Sequence, residues 1–154
     1  MLDKNGIEMK TGDIVEITGA FFKNDNGLYF VESSPGDPCW SGKDYCLKKI
    51  SKAGKISTAK YNLCFWPIMT FVSDRAKTAK ARQWNREHAT IEVKEPLKDM
   101  GAVAAFFQGK ADDLAEEISR VTRLWGENAE GVHRMKTSRA HYEAVAHFIE
   151  RKEL

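Results

Sequence analysis

The feature that most constrains the fold is a run of ten residues at positions 63–72, LCFWPIMTFV, which is apolar on both faces instead of alternating. A strand with this pattern needs to be covered on both sides. One side would face the interior of a β module, and the other would face helices from elsewhere in the chain. Pro67 has no amide hydrogen to give to a ladder, which predicts an edge or a bulge at that position.

Four further segments have strand character, with turn signals at their borders: 13–18 (DIVEIT), 28–32 (LYFVE), 46–57 and 88–94 (HATIEVK). The sequence NDNG at 24–27 favours a turn between the first two, because Asn, Asp and Gly tolerate positive φ. An Ala-Gly pair at 53–54 predicts that the third segment is a hairpin. Residues 1–95 are therefore predicted to form a β module.

Four helices are predicted, at 74–87, 97–107, 111–125 and 138–152. The first is inserted in the β module, with Ser73 or Asp74 as its cap. The third has one apolar stripe, formed by Leu114, Ile118, Val121 and Trp125. Such stripes predict that residues 96–154 are a helical extension packed on the β module.

Residues 12–31, GDIVEITGAFFKNDNGLYFV, resemble the KOW-type motif of SH3-like barrels. Gly12-Asp13 leads into a strand, Gly19 begins the turn, and Gly27 precedes the second strand. In that family the motif is a strand–loop–strand unit, and many members bind RNA, ribosomes or other proteins. The resemblance implies an SH3-like β-barrel. Together with the predicted helices, it gives an α+β fold: an SH3-like β-barrel module with an inserted basic helix, covered by the C-terminal helices.

The cysteine pattern and the first ten residues predict a cytoplasmic protein. Cys39, Cys46 and Cys64 form no CxxC pair, which disfavours a secreted disulfide framework. The first ten residues contain no apolar stretch of the kind a signal peptide needs. The longest apolar run is about half the length that spans a bilayer, so no membrane association is expected.

No pattern typical of a metal site or of catalysis is present in the sequence. His141 and His147 are six residues apart, which places them on nearly opposite faces of a helix. Neither a GxSxG nucleophile motif nor a Gly-rich phosphate loop occurs. The sequence therefore predicts a protein that is not an enzyme and that uses no metal or other cofactor.

Positive charge is concentrated in the middle of the chain. Residues 45–86 contain ten Lys or Arg and one acid, Asp74, whereas the remaining residues contain fourteen basic and twenty-one acidic side chains. One interpretation is an exposed surface for a polyanion. The other is a solvated face, or one whose cations pair with the acids of the C-terminal helices.

The residues predicted to contact a partner electrostatically are Lys48, Lys52, Lys55, Arg75, Lys77, Lys80, Arg82 and Arg86. Tyr61 and Trp84 are predicted to stack on bases. On a helix over 74–87, Arg75, Arg82 and Arg86 would share one narrow arc, because helical residues advance by about 100° each.

Two functions fit this pattern. The first is a non-enzymatic binding protein whose basic face, residues 45–86, contacts nucleic acid (RNA or DNA) or a ribonucleoprotein. The second is a protein-interaction module, such as a small adaptor or inhibitor, including one encoded by a mobile element, which docks on an acidic partner surface. A steep salt dependence of oligonucleotide binding would distinguish the first from the second.

Overall fold

The computed structural model describes residues 1–37, 45–57, 63–66, 70–72 and 78–153, with the backbone alone for 63–66, 70–72, 152 and 153. The described chain is α+β, as the sequence predicts. Its strands are β1 (Ile14–Thr18), β2 (Gly27–Ser33), β3 (Tyr45–Ile50), β4 (Leu63–Trp66), β5 (Thr70–Val72) and β6 (Thr90–Lys94). Its helices are α1 (Ala79–His88), α2 (Gly101–Trp125) and α3 (Val132–Glu153), and a 3-10 turn covers Lys23–Asp25.

The strands form one antiparallel sheet in the order β5-β4-β3-β2-β1-β6. The first strand of the chain pairs with both β2 and β6, so the last strand returns to lie beside the first. A short connection joins β1 to β2, as is possible because antiparallel neighbours need only a turn between them. Because α1 follows β5 and precedes β6, this helix links the two outer strands of the order.

The sheet buries side chains on both faces. The core cluster on one face includes the strand residues Val15, Ile17, Tyr29, Val31, Tyr45, Leu47 and Ile91. The opposite face buries Ile14, Phe30 and Ile50. Successive side chains of a strand point to opposite faces, and the register places Ile14 opposite Phe30 and Val15 opposite Tyr29. The two-sided burial that the sequence predicts for 63–72 concerns side chains outside the described set.

The prediction of a single strand over residues 63–72 is wrong. The run supplies two strands, β4 and β5, which pair antiparallel with Phe65 opposite Phe71. The first strand ends at Trp66, immediately before Pro67. The edge or bulge that the sequence predicts at Pro67 lies outside the described residues.

The described residues divide into two compact units, one formed by those within 1–35 and 45–97 and the other by those within 36–37 and 98–153. The second unit contains α2 and α3, which pack against each other, with the Phe107 and Tyr142 rings 6.0 Å apart between centroids. None of the helices in the described residues is long and apolar enough to cross a bilayer.

The predicted break between helices at 97–107 and 111–125 is wrong, because α2 is continuous from Gly101 to Trp125. Gly109 lies in its interior, where glycine costs only about 1 kcal/mol relative to alanine. Phe107 and Ala111, on either side of it, are both fully buried. The burial of these side chains offsets the low helix propensity of the glycine.

Residues before β1 are attached to β6 through the buried carboxylate of Asp3. Its Oδ1 accepts hydrogen bonds from the backbone amides of Asn5 (2.9 Å) and Ile7 (2.8 Å), and its Oδ2 accepts one from Val93 (2.8 Å). Burial by itself would raise the pKa of Asp3. The three amide donors, with the charge of Lys4, outweigh burial and lower the pKa below its ordinary value.

We expect the substitution Asp3→Asn to lower the melting temperature at neutral pH and to have progressively less effect as the solution is acidified. A depressed pKa stabilises the fold above the unfolded-state pKa, about 3.9 for Asp, and this contribution is lost as the pH falls through the lower pKa of the folded state. Thermal melts of both proteins at pH 7, 4 and 3, as rough set points across that window, measure the difference. An equal difference at all three would contradict the role of the carboxylate charge.

Candidate nucleic-acid interface

Three connections of the first unit lie at one end of the sheet. The register pairs the end of β1 with the starts of β2 and β6, and the end of β3 with the start of β2. The segment after β1, the turn after β3 and the junction of α1 with β6 are therefore at the same end. We call residues 19–26, 49–57 and 78–89 the basic end.

The basic end is strongly positive. Its cationic residues are Lys23, Lys49, Lys52, Lys55, Lys80, Arg82 and Arg86. Its two acids are Asp25, which is 4% exposed, and Glu87, which accepts a hydrogen bond from Gln83. Since the buried Asp25 presents almost no surface, Glu87 is the exposed acid among these described residues.

The segment that follows β3 folds into a tight hairpin. Ile50 bridges Ile56, Ser51 N donates to Lys55 O (2.8 Å), and Ser57 N donates to Lys49 O (2.9 Å). The hairpin predicted over residues 46–57 is thus found at its distal part. Cross-strand pairing places Lys49 beside Ser57 and Ser51 beside Lys55, and the alternation of a strand puts all four on one face.

These four polar side chains line an open cleft of about 440 Å³ together with Ile56. Lys49 is held there by two contacts: its Nζ donates to the carbonyl oxygen of Asn24 and lies 5.8 Å from the centre of the Tyr29 ring. The contact with Asn24 joins the hairpin to the segment between β1 and β2. No acidic side chain is among the described residues that line the cleft.

The same segment also contacts α1. The side-chain oxygen of Asn85 accepts a hydrogen bond from Phe21 N (2.8 Å), and Trp84 Nε1 donates to Gly19 O (3.2 Å). Asn85 is fully buried, and its Nδ2 has no partner. Residues 19–26 therefore touch the hairpin on one side and the helix on the other, which makes the basic end continuous.

The predicted start of the inserted helix is wrong. Thr78 is extended (φ −77°, ψ 151°), and its side-chain oxygen accepts a hydrogen bond from Ala81 N (3.2 Å), so α1 begins at Ala79. The predicted cap is Ser73 or Asp74, and that prediction does not consider Thr78, although threonine is also among the favoured N-cap residues. Arg82 and Arg86 lie on α1, whereas Arg75, the third member of the predicted arc, lies outside the described residues.

Most of α1 faces solvent, with Ala81 and Asn85 as its buried residues. Trp84 is 43% exposed and its ring stacks on His88, with centroids 3.9 Å apart and planes 22° apart. The Phe21 ring meets Trp84 at an angle of 71°. An indole held in this way presents a fixed, partly covered aromatic surface next to the cations of the helix.

The structure separates the predicted contact residues into three groups. Lys52, Lys55, Lys80 and Arg86 are exposed at the basic end, and Arg82 is half-buried with its Nε lacking a hydrogen-bond partner. Lys48 pairs with Phe30, on the face of the sheet opposite to Lys49. Tyr61, Arg75 and Lys77 lie outside the described residues.

Sequence reasoning missed Lys49, Ser51 and Ser57. A two-residue turn at the predicted Ala53-Gly54 would pair residue 52 with 55 and residue 50 with 57, whereas the structure pairs residue 50 with 56, and therefore 51 with 55 and 49 with 57. Choosing lysines by their position near the turn selected Lys48, which alternation puts on the other face. Counting outward by two from Lys52 also reaches Lys48. The observed loop has three residues, 52–54, and the resulting shift of one residue in register puts Lys49 on the face of the cleft.

No family model, curated protein or solved structure matches this chain. Within the described ranges, no group of three or more His, Cys, Asp or Glu side chains is placed to hold a metal ion.

Proposed function

We propose that this chain is a non-enzymatic binding protein that contacts single-stranded nucleic acid, free or within a ribonucleoprotein, through the basic end. The observation that carries the proposal is the convergence of the hairpin, residues 19–26 and α1 at one end of the sheet. Cations from segments far apart in sequence share that surface with the exposed Trp84.

The fold proposed for this protein is an SH3-like barrel with an inserted basic helix. Two observations support it: the strand–loop–strand unit β1–β2 coincides with the KOW-like residues 12–31, and α1 links the outer strands of the sheet. Fold likeness alone does not carry an activity, so the proposal of nucleic-acid binding depends on the site.

The chemistry of the basic end suits a flexible polyanion better than a duplex groove. Lysine and arginine neutralise backbone phosphates and release condensed counterions, which needs no base sequence. An exposed indole provides a stacking surface for an unpaired base, worth about 1–3 kcal/mol where it is used. In a duplex each base is already stacked on the adjacent base pairs and cannot stack on the indole. We therefore expect the protein to prefer single-stranded nucleic acid.

We expect the variant Lys52→Glu/Lys80→Glu/Arg86→Glu to bind single-stranded oligonucleotides about 100-fold more weakly near 0.1 M salt. Each lost phosphate contact reduces the slope of log affinity against log salt by about 0.7 for single strands, so three contacts remove about 2. Fluorescence polarisation with RNA and DNA strands of about 12 nucleotides, at several salt concentrations, measures both quantities.

The matched control is Lys98→Glu/Arg123→Glu/Arg134→Glu, which changes the net charge equally through exposed residues of the second unit. This control should retain wild-type affinity. Equal losses in the two variants would show that only net charge matters and would contradict a defined surface. Absence of binding by the wild-type protein, with capture of an acidic protein instead, would favour an adaptor.

A further inference from the structure

The cleft on the hairpin contains several hydrogen-bond donors close together. A surface that binds a polyanion only through its charge does not need such an arrangement. Two ammonium groups and two hydroxyl groups, from Lys49, Lys55, Ser51 and Ser57, share one face of a nine-residue segment. A diffuse positive surface needs charge alone, whereas a cleft lined by charge and hydroxyl donors suits a compact oxyanion.

Two of these groups are positioned before any ligand arrives. Lys49 Nζ is fixed by the Asn24 carbonyl and the Tyr29 ring, and it retains further N–H donors, since an ammonium has three. Ser51 Oγ accepts a hydrogen bond from Lys55 N (3.0 Å), so the hydroxyl proton can donate outward. Preorganised groups lose less conformational entropy on binding than mobile ones do.

The backbone of the hairpin holds the two sides of the cleft together. Its turn contains Gly54 at φ +79°, a conformation that glycine adopts without strain, and Gly54 N donates to Ser51 O (2.9 Å). Ile50, on the opposite face, is 3% exposed and anchors the hairpin in the folded unit. The separation of the two strands of the hairpin is thereby set by the ladder rather than by the ligand.

We propose that this cleft is a binding site for a single phosphate group, coordinated by Lys49, Ser51, Lys55 and Ser57. A phosphate has several oxygens at which ammonium and hydroxyl donors can converge, and lysine is a common phosphate ligand. On the proposed function, on which this identification of the source rests, the group is a backbone phosphate of the bound strand. A free phosphate or a phosphorylated small molecule presents the same chemistry.

The test compares Lys55→Gln with Lys98→Gln. Both residues are exposed and both substitutions remove one charge, but Lys55 lines the cleft, whereas Lys98 belongs to the second unit and lies outside the basic end. Amide chemical shifts of residues 49–57 are followed by NMR while inorganic phosphate is added. We expect saturable shifts in the wild-type protein and in Lys98→Gln, and at least a several-fold weaker response in Lys55→Gln.

Oligonucleotide titrations with the same proteins identify the source of the phosphate. If it is a backbone phosphate, Lys55→Gln lowers oligonucleotide affinity more than Lys98→Gln does, and only in Lys55→Gln does the salt slope fall by about 0.7. If inorganic phosphate binds in the cleft but the wild-type protein binds no oligonucleotide, the phosphate site stands and the proposed function fails. If phosphate leaves residues 49–57 unshifted and the two variants bind oligonucleotides alike, the phosphate site is overturned.

Discussion

Gly19→Ala is expected to destabilise the first unit by about 2–5 kcal/mol and to shift the thermal unfolding transition to a markedly lower temperature. Gly19 has φ +76°, which costs a residue with a side chain about 1–2 kcal/mol. A Cβ built there would lie 2.6 Å from the backbone carbonyl oxygen of His88. The end of α1 would have to move away, and relieving such a clash costs a further 1–3 kcal/mol or so.

Gly54→Ala is the control that separates the cost of positive φ from the cost of the clash with the His88 carbonyl oxygen. Gly54 also has positive φ (+79°), but a Cβ there would meet nothing within 4 Å. We expect this variant to lose only the conformational term, about 1–2 kcal/mol. Chemical denaturation of both variants with circular dichroism detection gives the free energies of unfolding. Equal losses would mean that the approach of α1 to Gly19 is looser than the structure has it.

The same substitution links stability to the proposed site. Gly19 O accepts the indole hydrogen bond of Trp84, and Phe21 N donates to the buried Asn85. Displacing the end of α1 from residue 19 therefore disturbs the contacts that orient the exposed indole. The contacts between α1 and residues 19–26 depend on Gly19. Because this residue has no side chain, the end of the helix can approach it closely.

Local patterns in the sequence predicted most strands of the sheet because they depend on neighbouring residues. The turn signal at 24–27 and the alternation of Val15 and Ile17 correctly predicted β1 and β2. The start of α1 failed because Ser, Asp and Thr all lie within reach, and a single sequence does not show which of them caps the helix. Tertiary contacts, such as that of Asn85 with Phe21, contribute to that choice.

The candidate site was harder to predict because it depends on register. Charge counting selected residues 45–86 as a positive region, but it treated Lys48 and Lys49 as equivalent. In a strand they face opposite ways, and only Lys49 meets Asn24 and the cleft. Lys23 lies outside the predicted window of 45–86, and the pairing of β1, β2 and β3 brings it to the same end.

Phe107→Ala is expected to destabilise the second unit by about 3–5 kcal/mol, whereas Trp125→Ala should change its stability by less than about 0.5 kcal/mol. Periodicity alone placed Trp125 in the buried stripe of its helix. The structure leaves it 77% exposed, while Phe107, further toward the start of α2, is fully buried against Phe106 and Tyr142.

The two expected losses of stability differ because Phe107 is surrounded by other side chains, whereas Trp125 is mostly exposed. Removing a buried ring loses both its transfer free energy and the contacts around the cavity that it leaves, but an exposed ring has little of either to lose. Thermal and urea unfolding of the full chain measure both variants, and the α-helical signal at 222 nm follows this unit, since most described helical residues belong to α2 and α3. If Trp125→Ala lost as much stability as Phe107→Ala, the end of α2 would have to be covered by another surface in solution. The aromatic residue would then mark an interface of the second unit.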